Sequence, residues 1–471
     1  MTIIHRVRAL LGLLALLTIG VAQAAAPGQS VGTPRGGPDP DAALERLAAY
    51  LRIDTTNPPG NEARAVSFLA EIFTAEGIPF ETFEAAPGRG SIVARLEGGD
   101  APALMLLNHS DVVPADASAW TVPPFAAEIR DGFLYGRGAL DTKGLAMIQL
   151  EAFLALHRSG RRLDRDLLFA ATADEEAGGY FGAGWMVRQR PDLFEGVGFV
   201  LNEGGGGRLT GDTAVFGVEV TQKIPLWLRL TARGTPGHGS APRVDSAPNA
   251  LVRALDRVVR QRFAPRLVPA VGRYMTAVAD LQSEALAPLY ADPSILLDDP
   301  EALLRLQLES PSTHALLRDT CSLTRLAASL KINVIPGTAW AELDCRLLPD
   351  TDPDAFIAKL EVLIDDPDIQ VTRLMGFTAA SSDTTTALYA AMESVLTEAV
   401  PGARVVPTMA AGFTDSHFFR DLGIPSYGFG TLLLPPSEYA GVHGNDERVN
   451  LAAYRDAVRL YHAVVERFVA P

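Results

Sequence analysis

Leu167-Leu168-Phe169-Ala170-Ala171-Thr172-Ala173-Asp174-Glu175-Glu176-Ala177-Gly178-Gly179 sets three acids directly behind an apolar run. Such a run, bounded by glycines, reads as a buried strand and the turn at its carboxyl end. Taken alone, the acids are better explained as a solvated turn. The layout recurs, however, at three further places. Ala103 to Leu107 runs into Asn108-His109-Ser110-Asp111, and Gly198 to Leu201 runs into Asn202-Glu203 and four glycines. Asp141 follows Gly136-Arg137-Gly138 and opens the helix-like stretch Leu145 to Leu156. Open α/β sheets collect their functional side chains at the carboxyl ends of strands. Four such sites carrying His, Asp and Glu point to one dinuclear metal centre.

Around this centre the chain alternates helix-like and strand-like segments. Asp41 to Leu51 and Glu62 to Glu76 have amphipathic helical spacing, and Ser91 to Leu96 and Ala103 to Leu107 have strand character. That alternation predicts a mixed sheet flanked by helices, an α/β catalytic domain. Near Thr221 the texture changes, with Leu226 to Thr231 alternating like a half-exposed antiparallel strand. A helix over Ala247 to Arg260 follows, then a helix-rich stretch from Phe263 to Leu326. Strands are expected at Leu330 to Val334, Ala339 to Leu347 and Gln370 to Met375, with a helix over Ala355 to Ile364. The expected organisation is a catalytic domain in two parts, 41–221 and 376–471, with an α+β module inserted over 222–375. The second part carries a helix over Thr385 to Glu398, a strand at Pro425 to Phe429 and a final helix from Leu451 to Phe468.

The 471 residues are 48% hydrophobic, ample for large cores, and suggest more than one domain. A net charge of −15 excludes a nucleic-acid partner that needs a basic face. His5, Arg6 and Arg8 precede the apolar run Ala9 to Ile19, and Ala22-Gln23-Ala24 has the small-x-small form of a cleavage site. Residues 1–24 therefore read as a signal peptide and 25–40 as a flexible leader, which predicts an exported protein, periplasmic or secreted. The apolar run is shorter than the roughly 20 residues of a membrane span, and no later stretch qualifies. Cys321 and Cys345 are the two cysteines. They suit a disulfide in an exported chain, or Cys345 is a small buried residue of its strand.

Eight histidines can be weighed one by one. His5 belongs to the leader, and His157, His314 and His462 sit in helical contexts without acidic partners. His417 is ambiguous, because Asp415 as a helix N-cap explains its segment. His109, His238 and His443 lie in Gly-, Ser- or Asp-rich turns.

Asn108 to Pro114, Gly136 to Gly144 and Asp174-Glu175-Glu176 resemble the metal-site motifs of the M20 co-catalytic metallopeptidases. That family includes aminoacylases, dipeptidases, glutamate carboxypeptidases and succinyl-diaminopimelate desuccinylases. Gly237-His238-Gly239-Ser240-Ala241-Pro242, Asn333 to Gly337 and Val442 to Glu447 are similar to its later motifs, so the resemblance spans about residues 45 to 465. The stretch Ser310 to Arg318 resembles the carboxypeptidase S and secreted N-acyl-amino-acid hydrolase branch.

The resemblance implies two Zn²⁺ ions per subunit, with Co²⁺ or Mn²⁺ as substitutes. Asp141 would bridge them, His109 and Glu203 would complete one ion, and Glu176 and His443 the other. Asp111 would orient His109, and Glu175 would be the general base. Where several relatives carry Asp, this chain has Glu203, as aminoacylase-like and carboxypeptidase-like members do. The inserted module would be a lid and homodimerisation domain, from which His238 stabilises the oxyanion, typically across the dimer. Asn333 and Arg346 would hold a substrate carboxylate, with Gly412 adding backbone donors; without the resemblance, Arg346 reads as a surface strand residue. The implied activity is hydrolysis of an amide bond beside a free C-terminal carboxylate. Carboxypeptidase or dipeptidase action leads, and N-acyl-amino-acid hydrolysis is the alternative. The substrate would be a small peptide or an N-acyl amino acid. A phosphate loop and a nucleophile elbow are excluded, since Gly138 to Gly144 lacks Gly-Lys-Ser/Thr and Ser240 lacks the flanking glycine.

Overall fold

The computed structural model describes residues 37–439 and 441–470. The expected signal peptide and nearly all of the leader lie outside the described residues. The catalytic sheet has nine strands. At its centre, Leu104 to Leu107 and Leu167 to Ala170 are buried, which explains their unbroken apolar sequence. Strand Gly90–His109 serves both sides of strand Arg165–Thr172. Ile92 to Leu96 pair with Ala171 back to Leu167, and Leu104 to His109 with Leu167 forward to Thr172. The chain reverses near Gly98 and Gly99, where a Cβ would lie 2.1 Å and 2.7 Å from the carbonyl oxygens of Arg165 and Asp164. Only glycine fits that approach.

From Gly90–His109 the sheet continues through parallel strand Val197–Asn202 to Ser426–Gly428, which is parallel to Val197–Asn202. Thr213–Gln222 comes next, parallel to Arg404–Ala410. The Arg404–Ala410 and Thr213–Gln222 strands are additions to the sequence reading. Val215, Phe216, Val218 and Val220 are all buried, so Thr213–Gln222 lacks the alternation that marks a half-exposed strand. Helix Lys143–Ser159 is buried without interruption from Lys143 to Leu156, packed between the sheet and the C-terminal helix Leu451–Val469. Each fully buried large apolar side chain there, such as Phe153 or Phe169, contributes about 1.5–3 kcal/mol by leaving water.

The second sheet is antiparallel, in the order Thr320–Ala327, Thr338–Leu347, Ile224–Arg233, Ile369–Gly376. Leu226, Leu228, Leu230 and Ala232 alternate inward against helices Ala247–Arg260 and Pro353–Ile364. Two expectations are corrected here. Thr320–Ala327 is a strand and not the end of the helical stretch; it is an edge strand whose middle residues are exposed, so no apolar face announces it. Leu330 to Val334 is not a strand apart from Val334, which with Ile335 pairs Gly237–His238 in a short ribbon. Leu330 and Ile332 are fully exposed, so their alternation faces no core. Cys321 and Cys345 stand directly opposite one another on neighbouring strands and form a disulfide.

Candidate metal centre

Three strand ends and two loops converge. His109 closes strand Gly90–His109, Glu203 follows Val197–Asn202, and Glu175 and Glu176 lie in the turn after Arg165–Thr172. Asp141 precedes helix Lys143–Ser159, and His443 comes from the loop before Arg448–Asn450 with a positive φ of 57°. His109 Nε2 lies 3.2 Å from Asp141 Oδ1 and 3.5 Å from Glu203 Oε1. His443 Nε2 lies 3.0 Å from Asp141 Oδ2 and 3.3 Å from Glu176 Oε2. The two oxygens of Asp141 thus face two three-residue groups, His109–Asp141–Glu203 and Asp141–Glu176–His443. Glu175 belongs to neither group; its Oε2 is 3.9 Å from His109 Nε2.

The donor set fits cations. Four carboxylates, Asp141, Glu175, Glu176 and Glu203, share a small volume with two imidazoles, and Glu176 Oε1 has no partner among the described residues. Burial and the crowd of acids push the Glu203 carboxyl up to about 7. Burial, then the Glu203 charge, holds the Glu175 carboxyl well above the usual range, and burial raises Glu176. Bonds to Asp141 and Glu176 push His443 up to about 10. Burial opposes a charge on His109, yet Glu203, Asp111 and Asp141 lift it well above its ordinary value. Protons retained by so many groups are what a pair of cations would replace. Mixed imidazole and carboxylate donors suit zinc.

The supporting shell extends the sequence reading. Asp111 lies beside His109 Nδ1, at 3.0 Å through its carbonyl and 3.3 Å through its carboxylate. It also accepts the backbone N–H groups of Glu175 and Glu176, both at 3.1 Å, and so ties the turn that carries Glu176 to the strand that carries His109. Asn57 Nδ2 donates to Asp111 Oδ2 at 2.8 Å. Asp174, in a left-handed conformation at φ 71°, pairs with buried Arg89, which also donates to Glu62 at 2.8 Å. Nothing in the sequence marks Asn57, Glu62 or Arg89, because their partners are remote in the chain. Glu447 and Arg137 lie inside quoted motifs, and only the fold reveals their pairing. The Asp415 capping expectation is corrected: its side chain makes no cap and instead accepts from Thr172 Oγ1 at 2.9 Å. His417 stacks on Phe377 at 3.6 Å, and burial pushes it down to about 4. It is a packed, neutral side chain.

The residues assigned to substrate lie on other elements. His238 is exposed on the ribbon, its Nδ1 2.7 Å from Ser240 Oγ, and Gly239 N donates to Asn333 O at 2.9 Å. Neither bonds to a metal-centre side chain among the described residues. Arg346 is held by Asp344 at 2.7 and 3.1 Å, and its guanidinium lies 5.5 Å from the Phe413 ring. Its Nη1 is buried without a partner among the described residues. Gly412, next to Phe413, borders open space.

A cavity of about 650 Å³ opens on Asp141 and Glu203. Leu145, Ile148, Leu281 and Leu316 form apolar parts of its lining, beside uncharged polar groups such as Gln282 and Ser312. Asp141 and Glu203 are its only acids, and exposed Arg208 its only cation, among the described residues.

Two ligand groups sharing one aspartate, with a proton-holding glutamate beside them, define a metallohydrolase. The family model of "Peptidase family M20/M25/M40" matches residues 105–467. The chain belongs to that family and is an enzyme of the peptidase/amidohydrolase type. It is 30% identical over 441 residues to the N-fatty-acyl-amino acid synthase/hydrolase PM20D1 of Xenopus tropicalis, covering 90% of this chain and 85% of that one. It is 29% identical to aminoacylase-1 of Sus scrofa, over 91% of this chain and 95% of that one. In fold it is similar to the M20 family metallo-carboxypeptidase Sso-CP2 from Sulfolobus solfataricus, with TM-score 0.72, 20% identity and coverage of 90% and 99%. Human carnosine dipeptidase 1 gives TM-score 0.65 at 16% identity, covering 91% and 97%.

Proposed function

We propose that the protein is a zinc-dependent amidohydrolase that splits N-acyl amino acids into a carboxylic acid and a free amino acid. The observation that carries this choice over the dipeptidase reading is the lining of the cavity beside the centre. A dipeptide brings an ammonium group to the acyl side of the scissile bond, and that group needs a carboxylate partner. The cavity's acids are both metal-ligand candidates, so none is left for the ammonium, whereas an acyl group asks only for apolar contact. Similarity to aminoacylase-1 and to an N-fatty-acyl-amino acid hydrolase supports the same choice.

In this reading Asp141, His109 and Glu203 hold one ion, and Asp141, Glu176 and His443 the other. When bound, such ions polarise a scissile carbonyl and acidify water. Glu175, outside both groups and with a strong hold on protons, takes the proton from water and delivers it to the leaving nitrogen. Asp111 fixes the ring of His109 and the turn that carries Glu175. Arg346, with one unpartnered N–H face, grips the substrate carboxylate, assisted by Asn333 and the backbone at Gly412. His238 supplies an oxyanion donor from the lid of a second subunit.

A homodimer through the lid is supported by the exposed edge strand Thr320–Ala327 and by exposed Leu330 and Ile332. Export is supported by the N-terminal pattern and by the Cys321–Cys345 disulfide. Among the described residues no helix is long and apolar enough to cross a membrane.

A panel on zinc-loaded protein tests the reading, comparing N-acyl amino acids, their C-terminal amides and free dipeptides. The N-acyl acids should be the best substrates. Amides should be poor, because they leave the buried Arg346 Nη1 without a carboxylate to donate to, and Arg346→Ala should narrow that difference by impairing the acids. Dipeptides outrunning N-acyl amino acids would return the assignment to a dipeptidase.

A further inference from the structure

The helices from Pro269 to Ala315 fall within the lid's stretch of sequence but pack on the catalytic domain. Val271, Met275, Leu289 and Leu306 share a core with Val215, Val406 and Met409 of the catalytic sheet. The same segment lines the cavity through Tyr274, Leu281 and Tyr290, with Leu316 just beyond it, while Leu145, Ile148 and Phe429 line it from the catalytic domain.

This lining is braced at three points. Arg404 donates to Ala277 O at 2.7 Å and pairs with Asp280, tying the first helix to a catalytic strand. Tyr290 Oη lies 3.0 Å from Thr313 Oγ1, joining two helices of the segment. Buried Lys223 donates to Ala315 O and Arg318 O, both at 2.9 Å, and fixes its end. A braced wall, uncharged and carrying apolar Val271, Val278, Leu281 and Leu316, selects by shape without the cost of ordering on binding.

We propose that this helical segment is the acyl-selecting element of the enzyme. Tyr274, Leu281 and Leu316 determine specificity, favouring a long unbranched aliphatic acyl chain over acetyl. The proposal rests on the N-acyl-amino-acid reading above. Each methylene buried against the wall is worth about fourfold in kcat/KM, from the transfer energy of a CH₂ group. The wall offers no carboxylate, so a cationic acyl group finds no partner there.

The test is the ratio of kcat/KM for N-dodecanoyl and N-acetyl derivatives of one amino acid on the zinc-loaded full chain. The unaltered enzyme should favour dodecanoyl by at least 100-fold. Leu316→Trp and Leu281→Trp, which fill the cavity, should each lower that ratio at least tenfold. Tyr274→Ala, which widens it, should raise the rate on a branched acyl chain relative to dodecanoyl by at least tenfold. Two independent fillings and one enlargement keep the test decisive if any single variant fails to fold. Turnover of neither acyl substrate by the unaltered enzyme sinks the N-acyl reading itself. Turnover with acetyl preferred, or with a ratio unmoved by the folded variants, overturns the acyl-selecting wall and leaves the N-acyl reading standing.

Discussion

Glu447 accepts the backbone N–H of Asp141 at 3.0 Å across 306 positions of sequence. The same carboxylate accepts from Gly138 N at 2.9 Å, Leu140 N at 2.7 Å and Arg137 Nη1 at 2.6 Å. Arg137 in turn donates to Gly444 O at 2.8 Å, beside His443. One buried ion pair therefore sets the loops of Asp141, which both candidate groups share, and of His443.

Glu447→Gln should weaken metal binding by about 10–100-fold, the usual effect of losing a partner behind the ligands. The amide nitrogen would face donors, and Arg137 would be buried without its counter-charge, costing about 3–5 kcal/mol of stability. Zinc competition titrations and urea unfolding measure the two effects. Unchanged metal affinity in a folded variant would show that the pair is scaffolding only.

Neighbouring glutamates should separate by metal content. Glu175 lies outside both ligand groups and Glu176 inside one. Glu175→Gln should retain metal and lose nearly all turnover, while Glu176→Gln should lose both. Elemental analysis of the purified variants decides between these outcomes, and equal metal loss in both would overturn the assignment of Glu175 as the base.

Metal affinity should rise steeply with pH. Ligation needs an unprotonated imidazole and carboxylate, but His443 is pushed up to about 10 and Glu203 to about 7. Between about pH 6 and 8 zinc must displace the His443 proton throughout and the Glu203 proton progressively less, so its affinity increases. The sign for the metal-free protein follows from the same shifts. Raised folded values stabilise fully below the ordinary values, 4.5 for Glu203 and 6.5 for His443. That stabilisation is lost as pH climbs through about 7 and about 10 respectively. The gain in Tm on adding zinc should therefore widen from pH 5 to pH 8, and a constant gain would contradict the protonation scheme.

Legibility in the sequence followed the range of the interactions. Leu167 to Thr172 announced a central strand because burial on both faces leaves no room for polar residues. The acids behind it stood out because polar groups cluster where such a strand ends. Alternation at Leu226 to Thr231 was readable for the opposite reason, one face being half-exposed. At Leu330 to Val334 the same alternation misled, since Leu330 and Ile332 meet solvent. Thr320–Ala327 was hidden as an edge strand held by one neighbour and the Cys321–Cys345 bond. Asp415 reads locally as a cap, yet its partner Thr172 is 243 positions away. Asn57, Glu62 and Arg89 were equally silent.

His238 is exposed on a two-strand ribbon, its side chain bonded only to its own turn and free of the metal-centre side chains among the described residues. In the proposed function a second subunit delivers it as the oxyanion donor. His238→Ala should then lower kcat far more than it raises KM, by about 100–1,000-fold, the range for removing one such donor. Mixing His238→Ala with Glu175→Gln, each nearly inactive, should restore activity, because a heterodimer would hold one site with Glu175 and a partner-supplied His238. The recovered rate should scale with the fraction of mixed dimers, counted by native mass spectrometry. Mixed dimers without recovered turnover would rule out donation across the interface and leave His238 a residue of the lid surface.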